Sequence, residues 1–244
     1  MNRIAALAAF VLFSAASAWG DVVIERSSTA TFTIPDAMGM RSVKNTQGPF
    51  FSYWQTSQRK AGNRILAMMV PLEDAAAINR GGFPNPSQYA LAYTVIETEP
   101  TEITAAMFSR VRDPIFVAQI EKSDGPSPAP GDAAFEARLA SYLREPGKKP
   151  VPLLRDGDPD TEMFLGVNAR GDNYVVYGKL LRTASKVNGK IEESTLVMMT
   201  ALMSVRDHML NLQSFRTVRG RADIDAAKAT MLDWVTKVTK ANSQ

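Results

Sequence analysis

The segment Asp156-Gly157-Asp158-Pro159-Asp160-Thr161-Glu162 carries the most pointed chemistry in the chain. Carboxylates at first, third and fifth positions are how a loop wraps hard oxygen ligands around calcium. The helix–loop–helix form of that site also needs glycine sixth and a bidentate glutamate twelfth. Thr161 and Val167 stand there instead. A looser calcium site built from Asp156, Asp158, Asp160 and Glu162 is therefore the candidate metal site, and a solvated acidic turn is the favoured reading. The same aspartates are what an alternative reading, a carboxylate-dependent hydrolase, would use.

The rest of the inventory excludes more than it suggests. One histidine and no cysteine rule out Cys/His zinc, a thiol nucleophile and a two-histidine metal face. His208 has no Gly-x-Ser-x-Gly elbow to serve and sits in an Asp-His turn, where a solvated histidine is expected. Ser57-Gln58-Arg59-Lys60 has Ser-x-x-Lys spacing but lacks the Ser-Asp-Asn and Lys-Thr-Gly companions of that chemistry, and it reads as a hairpin turn. Twelve methionines invite a Cu(I) reading centred on Met38-Gly39-Met40. Met68, Met69, Met198, Met199 and Met203 fall in apolar runs and read as core filling. Arg170-Gly171-Asp172 spells an adhesion tripeptide and makes a good turn, the better account of it.

A net charge of +3 is too small to indicate nucleic-acid binding. The densest basic group, Arg216, Arg219 and Arg221, reads as solvated turn charges, with an anion site as the alternative. At the amino terminus, Arg3 precedes the apolar run Ile4–Phe13, and Ala16-Ser17-Ala18 follows with small residues. That order fits a secretory signal cleaved after Ala18, and the run is too short to span a bilayer. The mature chain is expected to be periplasmic or secreted, with no transmembrane segment. Without cysteine there is neither a disulfide nor a lipid-modified amino terminus.

Positioning such groups falls to a recognisable set of elements. Thr29–Ile34, Phe50–Thr56, Arg64–Val70 and Gln88–Glu97 read as strands, with Ser57–Asn63 as a hairpin turn. Glu102–Glu121 reads as a helix with Ile103, Met107 and Val111 inward, kinked or broken at Pro114. Asp132–Leu143 reads as a second helix, between loops expected to be mobile near 123–131 and 145–162. Four further strands follow at Met163–Ala169, Tyr174–Lys186, Ser194–Arg206 and Met209–Val218, joined by turn residues that include Asn188-Gly189. A final helix, capped by Asp223, runs to Ala241 with Ile224, Ala227, Met231, Trp234, Val235 and Val238 inward. The expected fold is one α+β domain over 19–244: an antiparallel meander packed by helices and closed by the last one.

The tail, with Asn188-Gly189-Lys190, the run Leu196–Val205 and Asp233-Trp234-Val235 ahead of Lys240-Ala241-Asn242, resembles a group of uncharacterised proteobacterial exported proteins. In element order it is more distantly similar to the PsbP and DcrB proteins. The resemblance implies a central antiparallel sheet between helices and carries no catalytic residue. The functional expectation is a non-enzymatic accessory or binding protein of the bacterial envelope, acting on a protein partner or a small ligand. An immunity-type protein that neutralises an envelope-acting toxin is a further alternative.

Overall fold

The computed structural model describes residues 22–27, 29–129, 131–144, 162–187 and 190–243. The expected export signal, the second loop with Asp156, Asp158 and Asp160, and the Asn188-Gly189 turn lie outside the described residues.

Apolar alternation builds the sheet. Strands β1 (Val22–Arg26) and β2 (Thr31–Pro35) form a separate hairpin. The main sheet uses β3 (Met40–Ser42), β4 (Asn63–Pro71), β5 (Gln88–Val95), β6 (Glu162–Gly171), β7 (Tyr174–Val187), β8 (Lys190–Val205) and β9 (His208–Thr217). Its order is β3-β4-β5-β9-β8-β7-β6, antiparallel throughout. The expected α+β meander is present. Arg206 and Asp207 join β8 to β9 with φ of 49° and 62°, the two positive values a twisted two-residue hairpin needs. His208 is thus the first residue of β9 and half-buried, with its Nδ1 3.2 Å from the Glu99 carbonyl oxygen. It is not the solvated turn residue expected.

One face of the sheet is sealed. Helix α6 (Arg221–Ala241) lays Ile224, Ala227, Met231, Trp234, Val235 and Val238 on Val197, Met199, Ala201, Leu210 and Leu212. Helix α5 (Ala133–Arg144) adds Leu139 and Tyr142 to the same core. The expected stripe on α6 is all buried. Its cap differs: Gly220 occupies the cap position, and Asp223, three residues inside, accepts from the backbone N–H of Arg219 (2.8 Å) and Gly220 (3.2 Å). The helix also clasps β2. Trp234 Nε1 donates to the Pro35 carbonyl at 2.7 Å, and the Asn242 amide pairs with both backbone groups of Thr33 at 2.9 and 2.7 Å.

The opposite face is covered from its two ends. Over β4, Phe50–Thr56 is not a strand but part of helix α1 (Pro49–Lys60). Pro49 sits where a helix loses nothing by lacking an N–H. Phe50, Phe51 and Trp54 then fall on one side, a helical period that overrides the strand propensity of aromatics. Ser57–Asn63 is consequently no hairpin turn, because the helix continues to Lys60 and turns at Gly62, φ 79°. Helix α2 (Leu72–Asn79) completes this end with Ala75 and Ile78.

At the other end lie α3 (Ala105–Val111), a π-helical turn (Arg112–Val117) and α4 (Ala118–Asp124). Pro114 neither ends nor sharply breaks the rod; the wider turn takes up its missing donor. The turn also resets the inward face. Phe108, Val117 and Ile120 are buried, whereas Met107, expected inward, is 48% exposed. Beyond α4 the chain follows β6: Val167 N–H donates to Ser127 Oγ at 3.0 Å, and that hydroxyl donates to Glu121 at 2.8 Å.

Candidate functional site

Between those end caps the middle of the sheet carries side chains of which Leu91 packs with α1 and Val175 with α3 and the π-helical turn. Cross-strand pairing fixes them in three rows. Tyr89, Phe215, Met198 and Lys179 stand opposite one another on β5, β9, β8 and β7. The next row is Leu91, Gln213, Thr200 and Tyr177, and the third is Tyr93, Asn211, Leu202 and Val175. Because side chains alternate faces along a strand, all twelve share the side opposite α6.

An aromatic chain enters from one side. Phe83 meets Phe50 at 5.1 Å and Tyr53 at 5.9 Å between ring centroids. Tyr53 meets Trp54 at 5.7 Å, Trp54 meets Tyr89 at 4.9 Å, and Tyr89 stacks on Phe215 at 4.5 Å. The outer end is open, with Tyr53 60% and Phe83 57% exposed. The inner end reaches the sheet floor.

The floor is polar in places where a sheet built only for stability would be apolar. Thr200 is 1% exposed, and its hydroxyl has the Tyr177 phenol as its side-chain partner. Asn211 is 5% exposed. Among the described residues, its side-chain amide and the Tyr89 and Tyr93 hydroxyls make no hydrogen bond. Gln213 donates only to the Met198 sulfur, at 3.1 Å.

Electrostatically the floor is neutral. Burial pushes the Tyr89, Tyr93 and Tyr177 phenols up, and a charge on Tyr177 would push Tyr93 further. At the far margin, Lys179 Nζ sits 2.6 Å from Asp124 and 3.4 Å from Glu162. Burial alone would lower the Lys179 ammonium, but the Asp124 hydrogen bond and the two carboxylates hold it above its ordinary value.

Of the candidate calcium residues, Glu162 alone is described; it opens β6 and faces Lys179. Asp156, Asp158 and Asp160 lie outside the described residues. Among the described residues no three metal-ligating side chains gather. Met40 is buried and Met38 half-exposed, on either side of Gly39 at φ 75°. Met68, Met69, Met199 and Met203 are core residues, as expected. Ser57 and Lys60 are both exposed on the last turn of α1. Arg221 pairs with Glu136 at 2.8 Å and Asp225 at 3.6 Å.

The central face itself escaped the sequence reading. A usable signal exists in the alternation of Tyr89, Leu91 and Tyr93 on one strand with Asn211, Gln213 and Phe215 on another. Reading α1 as a strand hid the aromatic arm that meets them. Among the described residues no helix is long and apolar enough to cross a membrane. No family model matches this chain, and neither a curated protein nor a solved structure matches it significantly.

Proposed function

We propose that this is a non-enzymatic binding protein of the bacterial envelope, and that the aromatic chain beside the sheet, exposed at Tyr53 and Phe83, is its binding surface for a small, uncharged ligand. One observation carries the reading: a chain of ring contacts is exposed at Tyr53 and Phe83 and runs inward to Tyr89 and Phe215, beside the polar side chains of Asn211 and Gln213. Binding sites combine apolar and aromatic walls with a few polar groups that fix orientation. The charge–apolar–small order of residues 3–18 supports export. The meander closed by a helix supports the resemblance to PsbP and DcrB proteins. A second reading, a protein partner, is favoured by the exposure of Tyr53 and Phe83.

The test is native mass spectrometry of protein recovered gently from the periplasmic fraction, with its amino terminus sequenced in the same preparation. A mature chain starting at Trp19 and carrying a small-molecule adduct that is lost in Phe215→Ala and Gln213→Ala is the expected result. Adduct-free wild-type protein would overturn the ligand reading, and an intact Met1 would overturn export. Co-purification of a protein that Tyr53→Ser releases would favour the second reading.

A further inference from the structure

Charge is unevenly spread along this chain, and cations gather where aromatic rings are exposed. Residues 37–72 hold five cations, Arg41, Lys44, Arg59, Lys60 and Arg64, and no carboxylate; residues 75–96 hold Arg80 as their one charge. Between these stretches stand Glu73 and Asp74, in the first turn of α2, and Arg80 follows that helix at its other end. Arg64 is paired with Glu99 at 2.9 Å. Arg59, Lys60 and Arg80 are exposed, and among the described residues none of the three pairs with a carboxylate. Tyr53 and Lys60 are seven residues apart on α1, about two helical turns, so they share one side of it. Phe83 meets that side at Tyr53, 5.9 Å between ring centroids, and follows Arg80 closely in the chain.

We infer that this surface, Tyr53 and Phe83 with Arg59, Lys60 and Arg80 around them, docks on an anionic phospholipid bilayer. It uses the same exposed rings as the binding reading above but requires no bound ligand. Aromatic rings settle at the membrane–water interface, and lysine and arginine lay their carbon stems along apolar surface while their charged ends reach phosphate. Size favours lipid over a protein partner. With Tyr53 60% and Phe83 57% exposed, the two rings offer roughly 200–300 Å². A stable protein interface buries about 800 Å² on each side, whereas shallow interfacial binding adds a small apolar insertion to attraction for anionic headgroups. A soluble polyanion would use the cations and leave the rings in water.

The full mature chain is sedimented with vesicles of phosphatidylcholine, with and without phosphatidylglycerol, at low and high salt, beside heparin as a soluble polyanion. Binding requires phosphatidylglycerol and falls with salt, since ions screen exposed charges. Lys60→Gln and Arg80→Gln each weaken it about fivefold, the share of one cation near a charged surface. Tyr53→Ser and Phe83→Ser each weaken it about tenfold through lost apolar burial. Arg219→Gln, which removes an exposed cation ahead of α6, leaves it unchanged. Circular dichroism melts confirm that each variant is folded. Folded protein that ignores phosphatidylglycerol vesicles overturns the inference, whether heparin, or a protein that Tyr53→Ser releases, binds instead. So does vesicle binding that the ring variants leave unchanged, or that Arg219→Gln weakens as much as Lys60→Gln. Native mass spectrometry separates the two readings: adduct-free protein that docks on vesicles overturns the ligand reading alone, and adduct-bearing protein that ignores them overturns this one alone.

Discussion

Trp234 offers the sharpest quantitative test of how the last helix holds the fold. Its side chain is fully buried between α6 and the sheet, and its indole N–H reaches the Pro35 carbonyl at 2.7 Å. An aromatic side chain buries about 150–250 Å², which at about 25 cal/mol/Å² is worth about 4–6 kcal/mol. Partial collapse and a compact unfolded chain reduce what is lost on deletion, so Trp234→Ala should cost about 3–5 kcal/mol. Trp234→Phe keeps most of the apolar area but orphans the Pro35 carbonyl, for about 1–3 kcal/mol. The difference between the variants then reports packing, and the Phe variant reports chiefly the hydrogen bond. Urea melts should be followed by far-ultraviolet circular dichroism, because the substitution removes the residue's own fluorescence. In a chain this size each kcal/mol moves the thermal midpoint by about 2–4 °C, so the Ala variant should melt about 6–20 °C lower. A loss under about 1 kcal/mol at unchanged m-value would refute the argument. So would equal losses in the two variants, since the ring would then contribute nothing beyond its N–H.

Gly166 sits at φ 89°, and a Cβ there would lie 2.7 Å from the ring of Pro128; Gly166→Ala should destabilise by about 1–3 kcal/mol in the same melts, and a neutral result would show that the segment after α4 yields freely. Burial raises the Tyr142 phenol to about 12 and pushes Tyr89 and Tyr93 higher still. Because these pKa values are raised in the folded state, their contribution is whole below about pH 10 and is lost as pH rises through the folded values. Stability should therefore be flat from neutral pH to about 9.5 and fall steeply above 10, with part of the phenolate absorbance appearing only on unfolding. A phenolate titration complete near pH 10 in the folded protein would contradict the buried placement. Millimolar calcium should leave the melting midpoint where it is, since Glu162 faces Lys179; a rise that magnesium does not reproduce and that Asp158→Asn abolishes would return the acidic segment to the centre of the function.

The carboxy-terminal half was legible because local and long-range signals agree there. Period-two apolar runs, turn residues at each joint, and a helical stripe from Ile224 to Val238 all call for a meander closed by a helix. The amino-terminal half sets signals against one another. Phe50, Phe51, Tyr53 and Trp54 favour strand by propensity, and only the proline ahead of them and their one-sided spacing reveal a helix. At Pro114 the sequence announces an interruption but not its form, because a break and a π turn begin with the same missing N–H. Met107 followed the period in force before that reset and so was assigned the wrong side. The calcium candidates illustrate a different limit: carboxylate spacing suggests ligands but is blind to Lys179, a distant residue brought against Glu162 by strand pairing.

Position within β8 and β9 is what makes the sheet face opposite α6 informative. Both strands alternate without interruption, and toward α6 the alternation yields Val197, Met199, Ala201, Leu210 and Leu212, with buried Ser214 opposite Met199 as a polar member. Toward the other side the same strands yield Met198, Thr200, Asn211 and Gln213. Solvent exposure does not explain that difference, since Thr200 and Asn211 are almost as buried as the core opposite. Internal pairing accounts for Thr200, whose partner is the Tyr177 phenol, and not for Asn211, whose amide makes no hydrogen bond among the described residues. Val or Leu at these positions would suit the strand better. The proposed binding role is what would account for polar residues at Asn211 and Gln213, on a central strand beside a chain of stacked rings.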